Sequence, residues 1–419
     1  MTHRQPGPAN AAASTPADRP RHRPGYLAAA GVFAAGMAGT TLPTPLYGLY
    51  REQLGFSELT VTVVFASYAV GVILTLLLVG NHSDRAGRRP VLLAALLFAA
   101  ASAGCFLLAD GLPLLYAGRV LSGFSAGLLS GAGTVTVLEL ADPAHRSRAG
   151  FAATAANMGG LGCGPLLSGF LAEYAPAPLT LPFLVHLGLL AAAVIVVLLL
   201  PETVPDPRPR ARPVPQGLYV PPEVRPVFAP AAVAAFAGFS LLGLFTAVAP
   251  SFLAETLGER NLAVCGTVVF AVFLASTAGQ ALTPRIPATA GPNPALPLGC
   301  LVLVAGVLMV GGSLWARSLP LLIIGGMCGG LGQGLAFRAG LTAVSGAAPA
   351  AHRAATVSSF FVVAYTGISV PVIGVGALAV TLGLVRAGLI FTGCVALIAI
   401  ATVVWLVRRR PGRAPEATG

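Results

Sequence analysis

Charge is what this chain has least of. Only 9% of its 419 residues are Asp, Glu, Lys or Arg, against about 25% in an ordinary soluble domain. That excludes a water-soluble globular protein. Lysine is absent, so all 25 basic residues are arginine. The net charge of +11 does not indicate a nucleic-acid partner, because the arginines are dispersed along loops and not gathered on one basic face. The six cysteines, Cys105, Cys163, Cys265, Cys300, Cys328 and Cys394, lie singly in apolar runs with no C-x-x-C pair. Neither a metal site nor a redox motif is expected. Nucleotide-binding loops, metal clusters and nucleophile motifs are also missing, so the reading is of no enzyme and no cofactor.

What the chain has is apolar length: it is 56% hydrophobic, with a mean hydropathy of +0.83. Apolar runs fall near 26–50, 59–80, 90–109, 114–138, 149–172 and 180–201, then near 228–253, 262–283, 295–316, 319–345, 355–380 and 384–407. Each has the roughly 20 residues that cross a bilayer as a helix. The fold class expected is therefore an all-α membrane protein with about twelve transmembrane helices. Residues 1–25 are polar and rich in Pro, Ala and Arg and read as a disordered tail. The run that follows is too long for a signal-peptide core. The expected organisation is a tail over 1–25, a six-helix half over 26–201, a Pro/Arg-rich linker over 202–227, a second half over 228–407 and a tail over 408–419.

Arginine placement orients these spans. Short loops on one side carry Arg85, Arg88, Arg89, Arg146, Arg148, Arg285 and Arg353; those on the other carry Arg51, Arg260, Arg317 and Arg386. Arginine-rich short loops stay cytoplasmic, which puts both termini inside. Abundant Ala, Gly, Pro and Arg without lysine suggest a GC-rich bacterial gene, hence a multi-pass protein of the bacterial inner (plasma) membrane.

An internal repeat is visible at an offset of 207 residues. Leu112-Pro113-Leu114-Leu115 recurs as Leu319-Pro320-Leu321-Leu322; Gly118, Gly123, Gly127 and Gly133 align with Gly325, Gly330, Gly334 and Gly340; His145-Arg146 aligns with His352-Arg353. The repeat relates the fourth and fifth helices to the tenth and eleventh in the same orientation.

Between the second and third runs lies Gly80-Asn-His-Ser-Asp84-Arg85-Ala-Gly87-Arg88-Arg89-Pro90, with Pro90 suited to a first helical turn. The pattern resembles, at Gly80, Asp84, Arg85, Gly87, Arg88 and Arg89, the loop signature of the major facilitator superfamily between its second and third helices. The resemblance covers nearly the whole chain. It implies two pseudo-symmetric six-helix halves around a midplane cavity, as in a secondary transporter. The second-half copy of the loop has decayed to Gly279 and Arg285. Asp84 and Glu139 are expected to pair with Arg85, Arg88, Arg89, Arg146 or Arg148, joining the halves when the cytoplasmic side is shut. The alternative is charge that only sets topology. Asp84 is also a candidate helix cap.

Arg119 lies inside the fourth helix, and an intramembrane arginine is a functional candidate by default. Its surroundings resemble the helix-4 signature of proton-coupled exporters, with Ser122 where that family often has glutamine; the other reading is a side chain snorkelling to the headgroups. The fifth helix carries Gly160, Gly164, Pro165 and Gly169, in a run that resembles the antiporter signature of drug exporters with Ser168 in place of a glycine. The same residues also serve close helix packing. Arg338 and Gln333 either contact substrate or pair across helices. His186 is either a proton carrier or an interfacial histidine. Tyr68, Asn157, Gln280 and Tyr365 are cavity candidates, with Phe236, Phe239, Phe245, Phe360 and Phe361 as apolar walls.

No carboxylate lies deep in any helix, so proton exchange is implied by the resemblance alone, and a neutral cavity argues against strongly cationic cargo. The expected activity is efflux of small lipophilic compounds in exchange for protons, by a monomer in the bilayer. The alternatives are an uptake symporter or facilitator for a sugar or other metabolite, and a transporter-like membrane sensor.

Overall fold

In hydrocarbon every backbone N–H and C=O needs a partner within the protein, which helices supply segment by segment. The computed structural model describes residues 25–79, 82–208, 215, 217–287 and 294–408, and these are helical with no strand among them. The terminal tails before Gly25 and after Arg408, the middle of the expected linker, and Gly80 of the loop motif lie outside the described residues.

Helices α1 (Gly25–Leu54), α2 (Glu58–Val79), α3 (Arg88–Leu107) and α4 (Leu112–Glu139) open the chain. Helix α5 begins as Arg146–Thr154, passes a π turn at Ala155–Gly159 and continues as Gly160–Tyr174; α6 is Leu181–Leu199. Then come α7 (Arg225–Ala247), α8 (Leu262–Arg285), α9 (Ala295–Ala316), α10 (Leu319–Ala347), α11 (Arg353–Leu382) and α12 (Leu384–Arg408).

Eleven of these helices have the length and apolar composition to cross a membrane; α5 is the one that does not. It is long enough, but five glycines from Gly159 to Gly169, together with Asn157 and Pro165, dilute its apolar content. The expectation of about twelve spans thus holds as helices, with one that hydropathy alone would miss.

The first six helices pack mainly on one another, as do the last six, and the sets meet where α5 lies on α8 and α2 on α11. The repeat reappears in the starts of the helices: Leu112 and Leu319 begin α4 and α10, Arg146 and Arg353 begin α5 and α11, both pairs 207 apart. A parallel feature appears at two prolines, one residue out of that register. Pro165 in α5 frees the carbonyl of Leu161, which accepts a hydrogen bond from Thr41 Oγ1 of α1 at 2.5 Å. Pro371 in α11 frees the carbonyl of Gly367, which accepts from Ser240 Oγ of α7 at 3.0 Å. In each case a hydroxyl on a neighbouring helix repairs the bond that proline removes.

Candidate functional site

A cavity of about 590 Å³ lies between the two helix sets. From the first set it takes Phe65, Tyr68, Arg119 and Asn157; from the second, Phe239, Gln280, Phe337, Arg338, Phe361 and Tyr365. Its walls run out to Leu138, Gly150, Ser345 and Val357, beside the α4–α5 and α10–α11 loops. The cavity therefore opens toward the end of the molecule that carries the α2–α3 loop. Two π turns border it, contributing Ser130 from Leu129–Gly133 in α4 and Asn157 and Met158 from α5. Such turns misalign the helical ladder and are frequent at functional sites.

Arg119 sits at the closed end and is only 1% exposed, so it does not snorkel. Its guanidinium lies 5.1 Å from the Phe65 ring centre and 4.9 Å from that of Tyr68. Nη1 donates to the carbonyl oxygen of Thr40 in α1, and Nη2 reaches that of Phe65 at 3.4 Å. Nε has no partner, and among the described residues no carboxylate lies within ion-pair range. Arg338 is exposed to the cavity and likewise forms no ion pair. The cavity is not neutral: two guanidinium groups line it, and among the described lining residues there is no Asp or Glu.

The cavity candidates Tyr68, Asn157, Gln280 and Tyr365 thus line it, with Phe239 and Phe361 of the suggested walls; of the two readings left open for Arg338, the structure places it on the cavity. Phe245 and Phe360 are fully buried among other helices. Gln333 is placed differently: it is buried between α8 and α10, where its Oε1 accepts from Ser276 Oγ at 2.6 Å, and it pairs across helices and does not reach the cavity. His186 is also off the cavity and is not interfacial. It is 1% exposed, and its ring lies against Gly39 of α1, where only a missing side chain leaves room.

At the open end the loop motif forms a compact cluster around Arg88. Its Nη1 bonds Asp84 Oδ1 at 2.6 Å and Ser83 Oγ at 2.7 Å, while Nη2 and Nε clasp the two carboxylate oxygens of Glu139 at 2.9 and 3.1 Å. Gly87, at φ 102°, turns the chain into α3. Asp84, a candidate helix cap, does not cap α3. Glu202, just past α6, accepts the backbone N–H groups of Arg88 and Arg89 at 2.9 and 3.0 Å. Burial works against the Glu202 charge, yet N–H donors from Arg88, Val204, Arg89 and Thr203 outweigh it and hold its carboxyl below the ordinary glutamate range. Arg89 donates to the carbonyl of Leu198 at 2.6 Å; the Arg85 carbonyl accepts from the N–H of Arg208 at 2.8 Å. Arg146 is exposed and makes no ion pair. Among the described residues, no ion pair at this end joins the two helix sets; the cavity is open here, and the expected bridge belongs to the shut conformation. The partners in the Arg88 cluster all lie in or just after the first six helices.

The opposite end is where the sets are tied. Arg51 of α1 bonds Glu58 of α2 and, at 2.7 Å, Glu255 beyond α7. Glu173 of α5 accepts the N–H of Leu262 in α8 at 2.9 Å, and Asn261 Nδ2 reaches Tyr174 Oη at 3.4 Å. Glu58, Glu173, Glu255, Glu202 and Thr203 were not among the residues singled out from sequence. Each is an ordinary loop or helix-end residue until a distant partner gives it a role.

The glycines of α5 serve two neighbours at once. A Cβ at Gly160 or Gly164 would strike the Ala34 or Ala38 carbonyl oxygen of α1, and one at Gly169 the Leu262 carbonyl oxygen of α8; Gly266 of α8 in turn faces the Pro165 carbonyl. One face of the run thus packs α5 on α1 within the first set, and the other, at Pro165 and Gly169, meets α8 where the two sets close at this end.

Comparison with known proteins agrees with this architecture. The family described as Major Facilitator Superfamily matches residues 28–316. The tetracycline resistance protein, class D, of Salmonella ordonez is 29% identical over 301 residues, 62% of this chain and 75% of that protein. Multidrug resistance protein 2 of Bacillus subtilis (strain 168) is 28% identical over 166 residues, 39% of this chain and 41% of its own. In fold, the human organic anion transporter MFSD10 (TETRAN) aligns with a TM-score of 0.65 at 18% identity, covering 93% of this chain and all 100% of its own. A POT family transporter in complex with 5-aminolevulinic acid aligns with a TM-score of 0.72 at 13% identity, covering 92% and 96%.

Proposed function

The chain belongs to the major facilitator superfamily, and from that premise we propose that it exports small, largely apolar compounds by alternating access. It is a multi-pass membrane transporter; direction, cargo and coupling are the proposal. The observation that carries it is a cavity between two helix sets, open toward the α2–α3 loop, with inter-set bonds at the opposite end. That is one half-cycle of a rocking transporter, in which halves over 26–201 and 228–407 turn about a central site. With arginine-rich loops inside and both termini cytoplasmic, the conformation faces inward, ready to load from the cytoplasm. Export is further supported by relatives named for tetracycline and multidrug resistance and by the glycines of α5.

We take protons as the exchanged ion. With no carboxylate among the described lining residues, the groups suited to proton traffic are those of the cluster at the open end, Asp84, Glu139 and Glu202, and those of the closure at the other, Glu58 and Glu255. The test is accumulation of a neutral lipophilic dye, Nile red, in pump-deficient bacteria. Cells expressing the protein accumulate less than empty-vector cells. A protonophore abolishes the difference, and Arg119→Ala and Asp84→Asn each lose it. Equal accumulation in expressing and empty-vector cells would overturn export of such compounds.

A further inference from the structure

The cavity holds more positive charge than its surroundings balance. Arg119 is buried with Nε unpartnered and no carboxylate near it. Gln280 also faces the cavity with a buried Nε2 that has no acceptor. Arg338 adds a second unpaired guanidinium higher in the same space. A buried charge is ordinarily paired, because removing it from water without a counter-ion is costly. Arg119 has backbone carbonyls and rings about it, but among the described residues neither guanidinium has an anionic counterpart.

We propose that the missing partner is the cargo: the cavity is a site for amphipathic organic anions, compounds joining an aromatic body to a carboxylate, sulfonate or similar group. The anionic head takes Arg119 at the closed end, while Gln280 and Arg338 lie nearer the open end of the same cavity. The rings of Phe239, Phe337 and Phe361 receive the body. The stack of Arg119 on Phe65 and Tyr68 holds the guanidinium plane in place, so its remaining N–H groups are preorganised for a planar two-oxygen acceptor. A cation would meet two like charges and no acid. The proposal rests on the reading of the cavity as a transport site and names its substrate class.

The experiment compares two xanthene dyes with one ring system and opposite charge, fluorescein and rhodamine 6G, binding by fluorescence anisotropy to the purified full chain in detergent. Fluorescein binds saturably, and rhodamine 6G at least about tenfold more weakly. Arg119→Gln lowers fluorescein affinity about tenfold or more, and Arg119→Lys, which keeps the charge but loses the planar fork, falls between wild type and Arg119→Gln. Arg338→Gln, at an exposed position that folding does not need, weakens it several-fold and flattens its salt dependence. Rhodamine 6G binding as tightly as fluorescein, or a preference unchanged in both glutamine variants, overturns the proposal. Micelle binding reads this independently of the Nile red assay. Loss of neutral-dye export leaves the anion preference to be decided here, and loss of the preference leaves export standing.

Discussion

Glu202 shows how much one side chain settles at the inner end. The first N–H groups of a helix lack intrahelical acceptors, and Gly87 at the N-cap of α3 offers no side chain to take them. Glu202 supplies a charged acceptor from 113 and 114 residues away, at the positive end of the helix dipole. The same carboxylate approaches Gly87 so closely that a Cβ there would crowd it at 2.8 Å. Losing a cap of this kind costs about 0.5–2 kcal/mol, so Glu202→Gln lowers the melting temperature of the detergent-solubilised protein at pH 7.5. The pH dependence has a definite sign. Because folding lowers the Glu202 pKa, its contribution is complete above the unfolded value near 4.3 and is lost as pH falls through the lower folded value. The gap between wild type and variant therefore narrows from pH 7.5 to pH 3.5. A gap independent of pH would show that the carboxylate charge is not what caps α3.

Among the helices, α5 divides what sequence could show from what it could not. Apolar length, the 207-residue offset and the small-residue run of α5 can be read from the chain alone, and the structure reproduces the last two fully and the first in eleven of the helices. The crowded faces of that run also follow from composition, since only glycine lets two backbones touch. Its partners do not: nothing near Gly169 announces Leu262 of α8. The same holds for Arg51 and Glu255, 204 residues apart, and for His186, whose burial depends on Gly39 opposite it. Arg119 was legible because an arginine in hydrocarbon needs a reason; Glu58 was not, because a glutamate at a helix start needs none. The two-sided packing of α5 carries a prediction. Gly169→Leu places a side chain where the Leu262 carbonyl now lies and prevents α5 and α8 from meeting at the outer end. In an otherwise active Asn261→Cys background, a membrane-impermeant maleimide applied from outside reacts about tenfold faster when Gly169→Leu is added, a population shift of about 1.4 kcal/mol. Unchanged labelling would mean that α5 and α8 do not form the outer closure.

Taken whole, the molecule is asymmetric between its two ends. The cluster around Arg88 has more bonds, yet it stays within one helix set, while the bonds at the opposite end are fewer and include those that cross between sets. On the proposed alternating-access reading the crossing bonds must break for the cavity to open at that end, so they bear on the balance between inward- and outward-facing states. An anionic cargo fits this balance energetically: an inside-negative potential drives each negative charge outward with about 2.3 kcal/mol per 100 mV, even without a carboxylate in the cavity. Arg51 is the pivot at the outer end, since it holds Glu58 within its own half and Glu255 across the divide. Exposed ion pairs contribute about 0.2–1 kcal/mol, and Arg51→Ala also leaves Glu58, whose side chain is 12% exposed, without its partner. The outward-facing population accordingly rises several-fold. Spin labels on Glu52→Cys and Arg260→Cys, measured by pulsed EPR, gain a longer-distance component in Arg51→Ala, and Glu255→Gln, which removes only the crossing bond, gives a smaller change in the same direction. If Glu255→Gln shifted nothing while Arg51→Ala did, the pair with Glu58 would be the structural element and the crossing bond to Glu255 would have no part in the gate.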